Sequence, residues 1–501
     1  MRRGQSRGRA SAGVSLGLLF ASIVGAGQAF MLVFLVGDGP ATDAFLACYS
    51  VYVAVALLGV SLRRSVVPLL GAVGEAGAFR LRANELLARI SLVAVVAMLL
   101  LAAASPLLAG FLTRGLPRDA RSTGFLTLVV LAPAVYLQVR AGAISGVLNA
   151  VRRFPASVAM YVLSSALALG LSVALLPAIG PLGAAIGLVV GALTLLLGHS
   201  VYARRLGLRP RLRLAWLADR EQGRLLSFLL PASALGIAQQ LNLSLALAAL
   251  AGAGAGNAIT SYAYGYLMVG LMSNLSSYPV ALVTLPDAVE SVAARGREGG
   301  REQIEQTAPF VFVVLAPMLA AYASFGRPFL EVAFGGVLSP HTLDLLYEIG
   351  VILEPMVVAL SLSTLAGGIL LTLGGRRGIA GTAAFSLAIH AAAVFALAPI
   401  GPQAVAWGHS GAAIVSALAM IGVAFRGSTA HVAASLARRV APAFGLALVF
   451  PAVGLVAGRL PLWSLALALV GATVLYGVLA VYLWPSVGGR FLRLVPRLGQ
   501  A

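Results

Sequence analysis

The sequence predicts an all-α polytopic membrane protein, and three observations lead to that prediction. Of its 501 residues, 60% are hydrophobic and only 10% are charged, and the mean hydropathy is +0.97. Long apolar stretches recur along the chain, and short clusters of arginine separate them. Soluble domains carry roughly 25% charged residues, so this composition excludes a soluble globular protein. It equally excludes collagen-like, disordered and disulfide-rich chains.

About fourteen apolar stretches are long enough to cross a hydrocarbon core of about 30 Å, which takes ~20 helical residues. In chain order the predicted spans 1–14 are 12–36, 43–69, 88–112, 123–149, 155–178, 182–203, 225–251, 258–286, 307–326, 343–373, 379–398, 404–425, 441–458 and 462–484. Span 1 follows four arginines, as a signal peptide would. Its apolar run exceeds the roughly 7–15 residues of a signal-peptide core, so we interpret it as a membrane helix.

The distribution of arginine predicts the topology. All 35 basic residues are arginine, and the net charge is +19. Alternate loops and the two termini hold 26 of these arginines, whereas the other loops hold 5. Because cytoplasmic loops carry the excess of positive charge, both termini are predicted to be cytoplasmic. The basic loops then lie beside anionic lipid headgroups, and we expect membrane lipids rather than nucleic acid as partners.

An internal repeat divides most of the chain into two halves of six spans. Residues 177–181 recur as 398–402, and the arginine pair at 152–153 recurs at 376–377. Parallel repeats of this kind are typical of transporters whose substrate site lies between the halves near the membrane midplane. The predicted domains are an N-lobe at 1–203, a basic cytoplasmic linker at 204–224, a C-lobe at 225–430, and two extra helices with a cytoplasmic tail at 431–501.

The sequence gives no support for an enzyme or for a cofactor. A nucleotide-binding P-loop requires a lysine, and the chain has none. No cluster of cysteine and histidine has the spacing of metal ligands. The single Cys48 lies in an apolar run and is interpreted as a packing residue. We expect neither a cofactor nor a metal site.

Charged groups inside the spans are costly in a membrane and are therefore candidates for function. Arg140 lies about ten residues, or roughly 15 Å, inside span 4. It is predicted either to bind an anion in a wet cavity or to pair with Glu354 of span 10. Arg63 and Arg64, near the end of span 2, either face a phosphate or extend to the headgroups. Glu354 is alternatively a proton or cation site, or a residue at headgroup level.

Uncharged polar groups form a second set of candidates, which either line a cavity and bind sugar hydroxyls or join helices by hydrogen bonds. In spans 7 and 8 they are Gln239, Gln240, Asn242, Asn274, Ser276 and Ser277. His390 and His409 are interpreted as packed histidines. Gly25 and Gly27, beside Gln28, indicate that span 1 either bends or packs closely.

The segment 37–45 (Gly-Asp-Gly-Pro-Ala-Thr-Asp-Ala-Phe) and the apolar helix after it, which ends at 67–70, resemble the start of the MurJ (MviN) lipid II flippases. That family belongs to the multidrug/oligosaccharidyl-lipid/polysaccharide exporter superfamily. Shorter matches lie at 146–149, 153–154, 262–263, 267–268 and 285–286. The resemblance extends over about residues 12–430.

This resemblance implies a flippase that moves lipid II, an undecaprenyl-diphosphate-linked sugar precursor, from the inner to the outer leaflet of a bacterial plasma membrane. It implies two lobes that alternate access, a cationic cavity that holds the diphosphate, and a groove for the lipid tail at spans 13 and 14. Asp43 matches an acidic residue of the family. The arginines of the family align here with Ser22, Gln28, Ala56 and either Gly265 or Tyr266.

The absence of those arginines leaves three alternatives open. The protein could move another lipid-linked glycan, it could be an ion-coupled drug antiporter with Glu354 or Asp43 as the coupling site, or it could be a scaffold that transports nothing. The substrate-binding candidates are Arg140, Arg63, Arg64, Asp43, Gln28, Gln239, Asn242 and Glu354. The expected partners are the lipid-linked precursor, membrane lipids and, as further candidates, cell-wall synthesis proteins.

Overall fold

The computed structural model describes residues 24, 27–28, 30–71, 76–151, 153–209, 220–254, 258–457 and 461–484. These residues form helices joined by short turns and contain no β-strand, so the predicted all-α class is confirmed. Helix α1 includes residues 30–36. The others are α2 (Pro40–Gly71), α3 (Ala76–Leu112), α4 (Arg118–Ala150), α5 (Phe154–Ile179), α6 (Pro181–Arg205), α7 (Arg220–Gly252), α8 (Ala258–Phe334), α9 (Pro340–Thr372), α10 (Arg376–Leu397), α11 (Pro402–Ala424), α12 (Thr429–Ala447), α13 (Val449–Ala457) and α14 (Leu462–Leu483).

Twelve helical segments of the described chain are long and apolar enough to cross a membrane. They account for twelve of the fourteen predicted spans. The other two are spans 1 and 8. Span 1 lies mostly outside the described residues. Span 8 is the first part of α8, and several of its side chains lie outside the part of the chain that the structure describes. Helices α12 and α13 together supply one of the twelve, Thr429–Val456. The protein is a multi-pass membrane protein.

Helix α8 differs from the prediction, because the polar segment between spans 8 and 9 was expected to be a loop. The structure instead has 77 helical residues, interrupted at Gly296, where φ is +57°. Glutamate, arginine and glutamine favour helix. One ion pair joins Arg295 to Glu302 across the kink, and another joins Arg301 to Glu298 after it. Local propensity therefore extends both membrane helices beyond their apolar stretches.

The repeated Ile-Gly-Pro motif forms a sharp turn between two helices at both of its positions. Gly180 separates α5 from α6 with φ of +60°, and Gly401 precedes α11 with φ of +135°. Only glycine adopts such angles without strain. Pro181 and Pro402 then begin the next helix, where proline is tolerated because the first N–H groups of a helix have no partner. The two-lobe repeat itself stays a prediction.

The chain divides into two compact units. Unit 1 comprises residues up to Ala263 together with Ala383–Val405, and unit 2 comprises Tyr264–Thr382 together with the residues from Ala406 onward. Unit 1 therefore contains α1–α7, the first turn of α8 and most of α10. The predicted lobes and linker remain predictions.

Within unit 1, α2 packs against α4 and α7, α4 also packs against α3 and α6, and α5 packs against α6. The contact between α2 and α4 depends on two glycines. A Cβ atom on Gly142 would lie 2.1 Å from the carbonyl oxygen of Gly59, and one on Gly59 would lie 2.7 Å from that of Gln138. The backbones thus meet directly beside position 140.

Within unit 2, α14 packs against α12 and α13 and is joined to α8 by a hydrogen bond from Tyr476 Oη to the carbonyl oxygen of Val313, at 2.9 Å. Arg439 of α12 forms an ion pair of 3.2 Å with Glu305 of α8. Many side chains of α13 and α14 remain exposed, with Leu455 at 85% and Val456 at 81%. These apolar faces suit contact with lipid.

Candidate functional site

Arg140 is the candidate cation inside unit 1. It lies on α4 and is half-buried. Its Nη1 donates a hydrogen bond to Tyr136 Oη, one turn earlier on the helix, and its guanidinium carbon lies 5.8 Å from the centroid of the Tyr136 ring. No described carboxylate of unit 1 lies within ion-pairing distance of it. A guanidinium carries five N–H donors, so Arg140 keeps most of its capacity to bind an anion.

Arg63 and Arg64 lie on α2, and their side chains fall outside the described part of the structure. Their helix positions are nevertheless informative. Gly59, in contact with Gly142 of α4, is four residues before Arg63. One helical turn, roughly 6 Å, therefore separates position 63 from the contact that flanks Arg140. The roles predicted for Arg63 and Arg64 stay predictions.

Asp43 joins the starts of two helices within unit 1. It is 1% exposed in the first turn of α2. Its Oδ1 accepts hydrogen bonds from the backbone N–H of Thr260 at 2.9 Å and from Thr260 Oγ1 at 2.6 Å. A carboxylate at a helix N-terminus satisfies free N–H groups and interacts favourably with the helix dipole. The structure thus gives Asp43 a capping contact with α8, and its predicted substrate role is untested.

Gln28 and Asn242 are both buried and both bonded to helices distant in sequence. Gln28 Nε2 donates to Ser172 Oγ of α5 at 2.7 Å, and Asn242 Nδ2 donates to Ser386 Oγ of α10 at 3.2 Å. The His390 ring follows one turn later, with Nδ1 2.8 Å from the carbonyl oxygen of Ser386. The bonds of Gln28 and Asn242 join helices, and the predicted substrate-binding roles of these two residues stay predictions.

Other polar candidates form smaller contacts. Gln239 is half-buried on α7. The side chain of Asn274 lies outside the part of the chain that the structure describes. Within unit 2, Ser277 Oγ lies 2.5 Å from Ser361 Oγ, and the His409 ring lies 5.6 Å from that of Tyr266. His390 and His409 are each 2% exposed, which agrees with their interpretation as packed histidines. Cys48 is a buried free thiol.

Glu354 is the charged candidate inside unit 2. It lies on α9, and its Oε1 atom is buried without a hydrogen-bond partner among the described residues. The carboxylate interacts electrostatically with the phenols of Tyr322 and Tyr347. No described arginine or histidine of unit 2 forms an ion pair with it. Its predicted alternatives as a substrate, proton or cation site stay predictions.

The sequence analysis missed the tyrosines that contact these charged groups. Tyr136 precedes Arg140 by four residues, and this helical spacing places the two side chains on one face, so the pair was detectable. Tyr322 lies on another helix than Glu354 and is near enough for a coulombic interaction, and no local pattern signals that proximity. In the described part of the chain, no group of three or more His, Cys, Asp or Glu could hold a metal ion.

The family model described as Lipid II flippase MurJ matches residues 32–349, which is more than half of the chain. No curated protein sequence matches significantly.

Among solved structures, the lipid II flippase MurJ in an inward closed conformation matches with a TM-score of 0.73 and 12% identity, over 95% of this chain and 99% of that one. The eukaryotic MATE transporter AtDTX14 matches with a TM-score of 0.63 and 15% identity, over 87% and 99%. An inward-facing multidrug resistance MATE family transporter of the MOP superfamily matches with a TM-score of 0.61 and 15% identity, over 85% and 98%. Identities this low establish the shared fold alone.

Proposed function

The chain belongs to the MurJ lipid II flippase family, and from this premise we propose that it moves lipid II across a bacterial plasma membrane. The proposed direction is from the inner to the outer leaflet, by alternating access of two lobes. Both termini are proposed to lie in the cytoplasm, as the excess of arginine in alternate loops indicates. The match of the family model to residues 32–349 is the observation that supports this proposal most strongly.

The physical problem for such a transporter is the diphosphate of the substrate. Moving an anion through a medium of low dielectric constant is costly unless cations or dense hydrogen bonds compensate its charge. Positions 22 and 28, where the family carries arginine, are serine and glutamine here, and Gln28 bonds to Ser172. The proposed cation is therefore Arg140, with Arg63 and Arg64 as further candidates one turn from the contact between α2 and α4.

Exposure of lipid II on the outer leaflet tests this function. Cells depleted of their own flippase would express this protein, and an added enzyme that cleaves lipid II from outside would report how much precursor is accessible. We expect cleavage to be restored by the wild-type chain and lost with Arg140→Ala. Arg327→Ala is the matched control, because Asp344 at 2.5 Å and Glu331 at 3.3 Å already neutralise that guanidinium. Absence of cleavage with folded wild-type protein in the membrane would contradict lipid II as the substrate.

A flippase for another polyprenyl-linked glycan is the second candidate function. The observation that favours it is the loss of the family arginines at positions 22 and 28, since a cavity with fewer cations suits a less anionic cargo. In a reconstituted assay of lipid II transport, this candidate predicts that an added polyprenyl-linked glycan other than lipid II competes and slows the transport. If only unlabelled lipid II competes, this second candidate is wrong.

A further inference from the structure

Two buried oxygen atoms without hydrogen-bond partners lie in the interior of unit 2. One is the hydroxyl of Tyr322, whose residue is only 8% exposed, and the other is Oε1 of Glu354. Buried polar atoms are hydrogen-bonded in the large majority of cases, so each such exception needs an explanation. Both residues lie within membrane-spanning segments, where leaving a charge uncompensated is most costly.

The local packing brings these two groups together. A Cβ atom on Gly350 would lie 2.2 Å from Tyr322 Oη, so the hydroxyl rests on the bare backbone of α9. Glu354 follows Gly350 by four residues and therefore lies on the same face, one turn further along. The electrostatic interaction between Glu354 and Tyr322 agrees with this placement.

A second glycine fixes the aromatic rings beside this pair. A Cβ atom on Gly326 would lie 3.1 Å from the ring of Tyr322 and 3.3 Å from that of Tyr347, and the two ring centroids are 5.9 Å apart. Tyr347 Oη donates its hydrogen to the carbonyl oxygen of Ala323. Of the two phenols, Tyr322 is therefore the one whose O–H remains able to donate to Glu354.

The other charged and titratable groups around α9 are engaged elsewhere. On α11, the His409 ring packs on Tyr266, and the neighbouring Ser410 donates to the carbonyl oxygen of Ile352 at 2.7 Å. Near the start of α9, Asp344 pairs with Arg327 of α8, which also contacts Glu331. Glu348 of α9 and His341 beside its start are exposed. In the described part of unit 2, no cation neutralises Glu354 by an ion pair.

A proton meets the needs of this pair better than a metal ion does. Hard cations such as Ca²⁺ and Mg²⁺ require about six or more oxygen ligands, and the described residues hold no cluster of three acidic or metal-binding side chains. A proton needs one carboxylate oxygen. When protonated, the carboxyl can donate to Tyr322 Oη, and when ionised it can accept from the phenol O–H.

We propose that Glu354 and Tyr322 form a proton-binding site inside unit 2. The Glu354 carboxylate takes up one proton from water and releases the same proton. The Tyr322 hydroxyl is the neighbouring group that can accept from the protonated carboxyl or donate to the ionised one. No other bond forms or breaks. The site rests on the geometry of unit 2 alone, so its test is independent of whether lipid II is the substrate.

Infrared difference spectroscopy of the purified full-length protein tests this proposal. Spectra recorded at acidic and alkaline pH would show the C=O stretch of a buried protonated carboxyl. We expect this band in the wild type and its complete loss in Glu354→Gln. Glu348→Gln, which alters an exposed carboxylate on the same helix, should leave the band unchanged.

Tyr322→Phe provides a second variant that keeps the carboxyl, so the test does not depend on the folding of Glu354→Gln. Removing the hydroxyl should shift the band, because the C=O frequency reports the hydrogen bond of the group. A wild-type spectrum without the band at any pH, or a band that persists in Glu354→Gln, would overturn the site. A band that sodium removes at constant pH would also overturn it, in favour of a metal cation.

Discussion

Each unit contains a half-buried charge without a described ion-pair partner, and the two charges are opposite in sign. In unit 1, Arg140 is half-buried with no described carboxylate in ion-pairing distance, whereas in unit 2 Glu354 is half-buried with no described cation. Each charge has a tyrosine neighbour, Tyr136 on the same helix in one case and Tyr322 on another helix in the other. An uncompensated charge in a membrane is a candidate for function. The comparison therefore underlies the two proposals, anion binding by unit 1 and proton binding by unit 2.

The surface charges of the two units also differ. Arg204 and Arg205 at the end of α6 are exposed and form no ion pair in the described chain. In unit 2, by contrast, Arg295, Arg301 and Arg439 each have a glutamate partner. The composition agrees, because unit 1 holds 22 arginines and 7 acidic residues, whereas unit 2 holds 13 arginines and 9 acidic residues.

Substitution of Arg140 has the largest expected effect, and it tests the proposed anion binding by unit 1. Each hydrogen bond to a charged group contributes about 1.5–3 kcal/mol, and two such bonds to a diphosphate give about 3 kcal/mol at the lower end of that range. Arg140→Ala should therefore slow lipid flipping in proteoliposomes roughly 100-fold. Arg140→Lys keeps the charge but not the bidentate geometry, so an intermediate rate is expected. An unchanged rate for Arg140→Ala would remove the anion-binding role of unit 1.

Gly142 tests whether close helix packing supports that site. A Cβ atom at this position would meet the backbone of Gly59 at 2.1 Å, and overpacking of this kind costs about 1–3 kcal/mol. Gly142→Ala should lower the thermal unfolding temperature in detergent. The matched control is Gly170→Ala on α5, where a Cβ atom would meet nothing within 4 Å and a gain of about 0.5–1 kcal/mol is expected. Equal behaviour of the two variants would contradict the tight contact between α2 and α4.

Asp43 provides a contrast to Glu354, because it is a buried carboxylate of unit 1 that has hydrogen-bond partners. Asp43→Ala removes an acceptor from two donors of Thr260 and should destabilise the fold by about 2 kcal/mol. Thr260→Val removes one of those two bonds and should cost about 1 kcal/mol. Thermal unfolding of both variants measures the effects. Loss of transport with an unchanged unfolding temperature would instead indicate a direct role of Asp43 in transport.

The smallest expected effect concerns the ion pairs of unit 2. Arg439 is half-exposed, but its partner Glu305 is only 8% exposed, so removing the arginine leaves a largely buried carboxylate without its cation. Arg439→Ala should cost about 1 kcal/mol after allowance for solvent screening. Arg438→Ala, next to it, removes a guanidinium that donates to a backbone carbonyl at 3.3 Å and should cost less. Thermal unfolding at low and high salt would separate them, since salt weakens an ion pair.

The sequence by itself determined the fold class and the family. Hydropathy alone located the membrane helices, because every backbone group in a bilayer must be satisfied within its own helix. The arginine at position 140 was visible as a charge in an apolar stretch for the same reason. These properties are local, since each depends on a window of about 20 residues.

Only the tertiary structure decided the partners of the polar residues. Gln28 meets Ser172 and Asn242 meets Ser386, each across 144 residues, and Asp43 meets Thr260 across 217. The same is true of Tyr322 and Glu354, which lie on different helices and are brought near each other where Tyr322 packs on Gly350. The sequence does not distinguish a polar side chain that lines a cavity from one that bonds to another helix. Which of the two it does depends on which helices pack together, and that packing is a property of the whole chain.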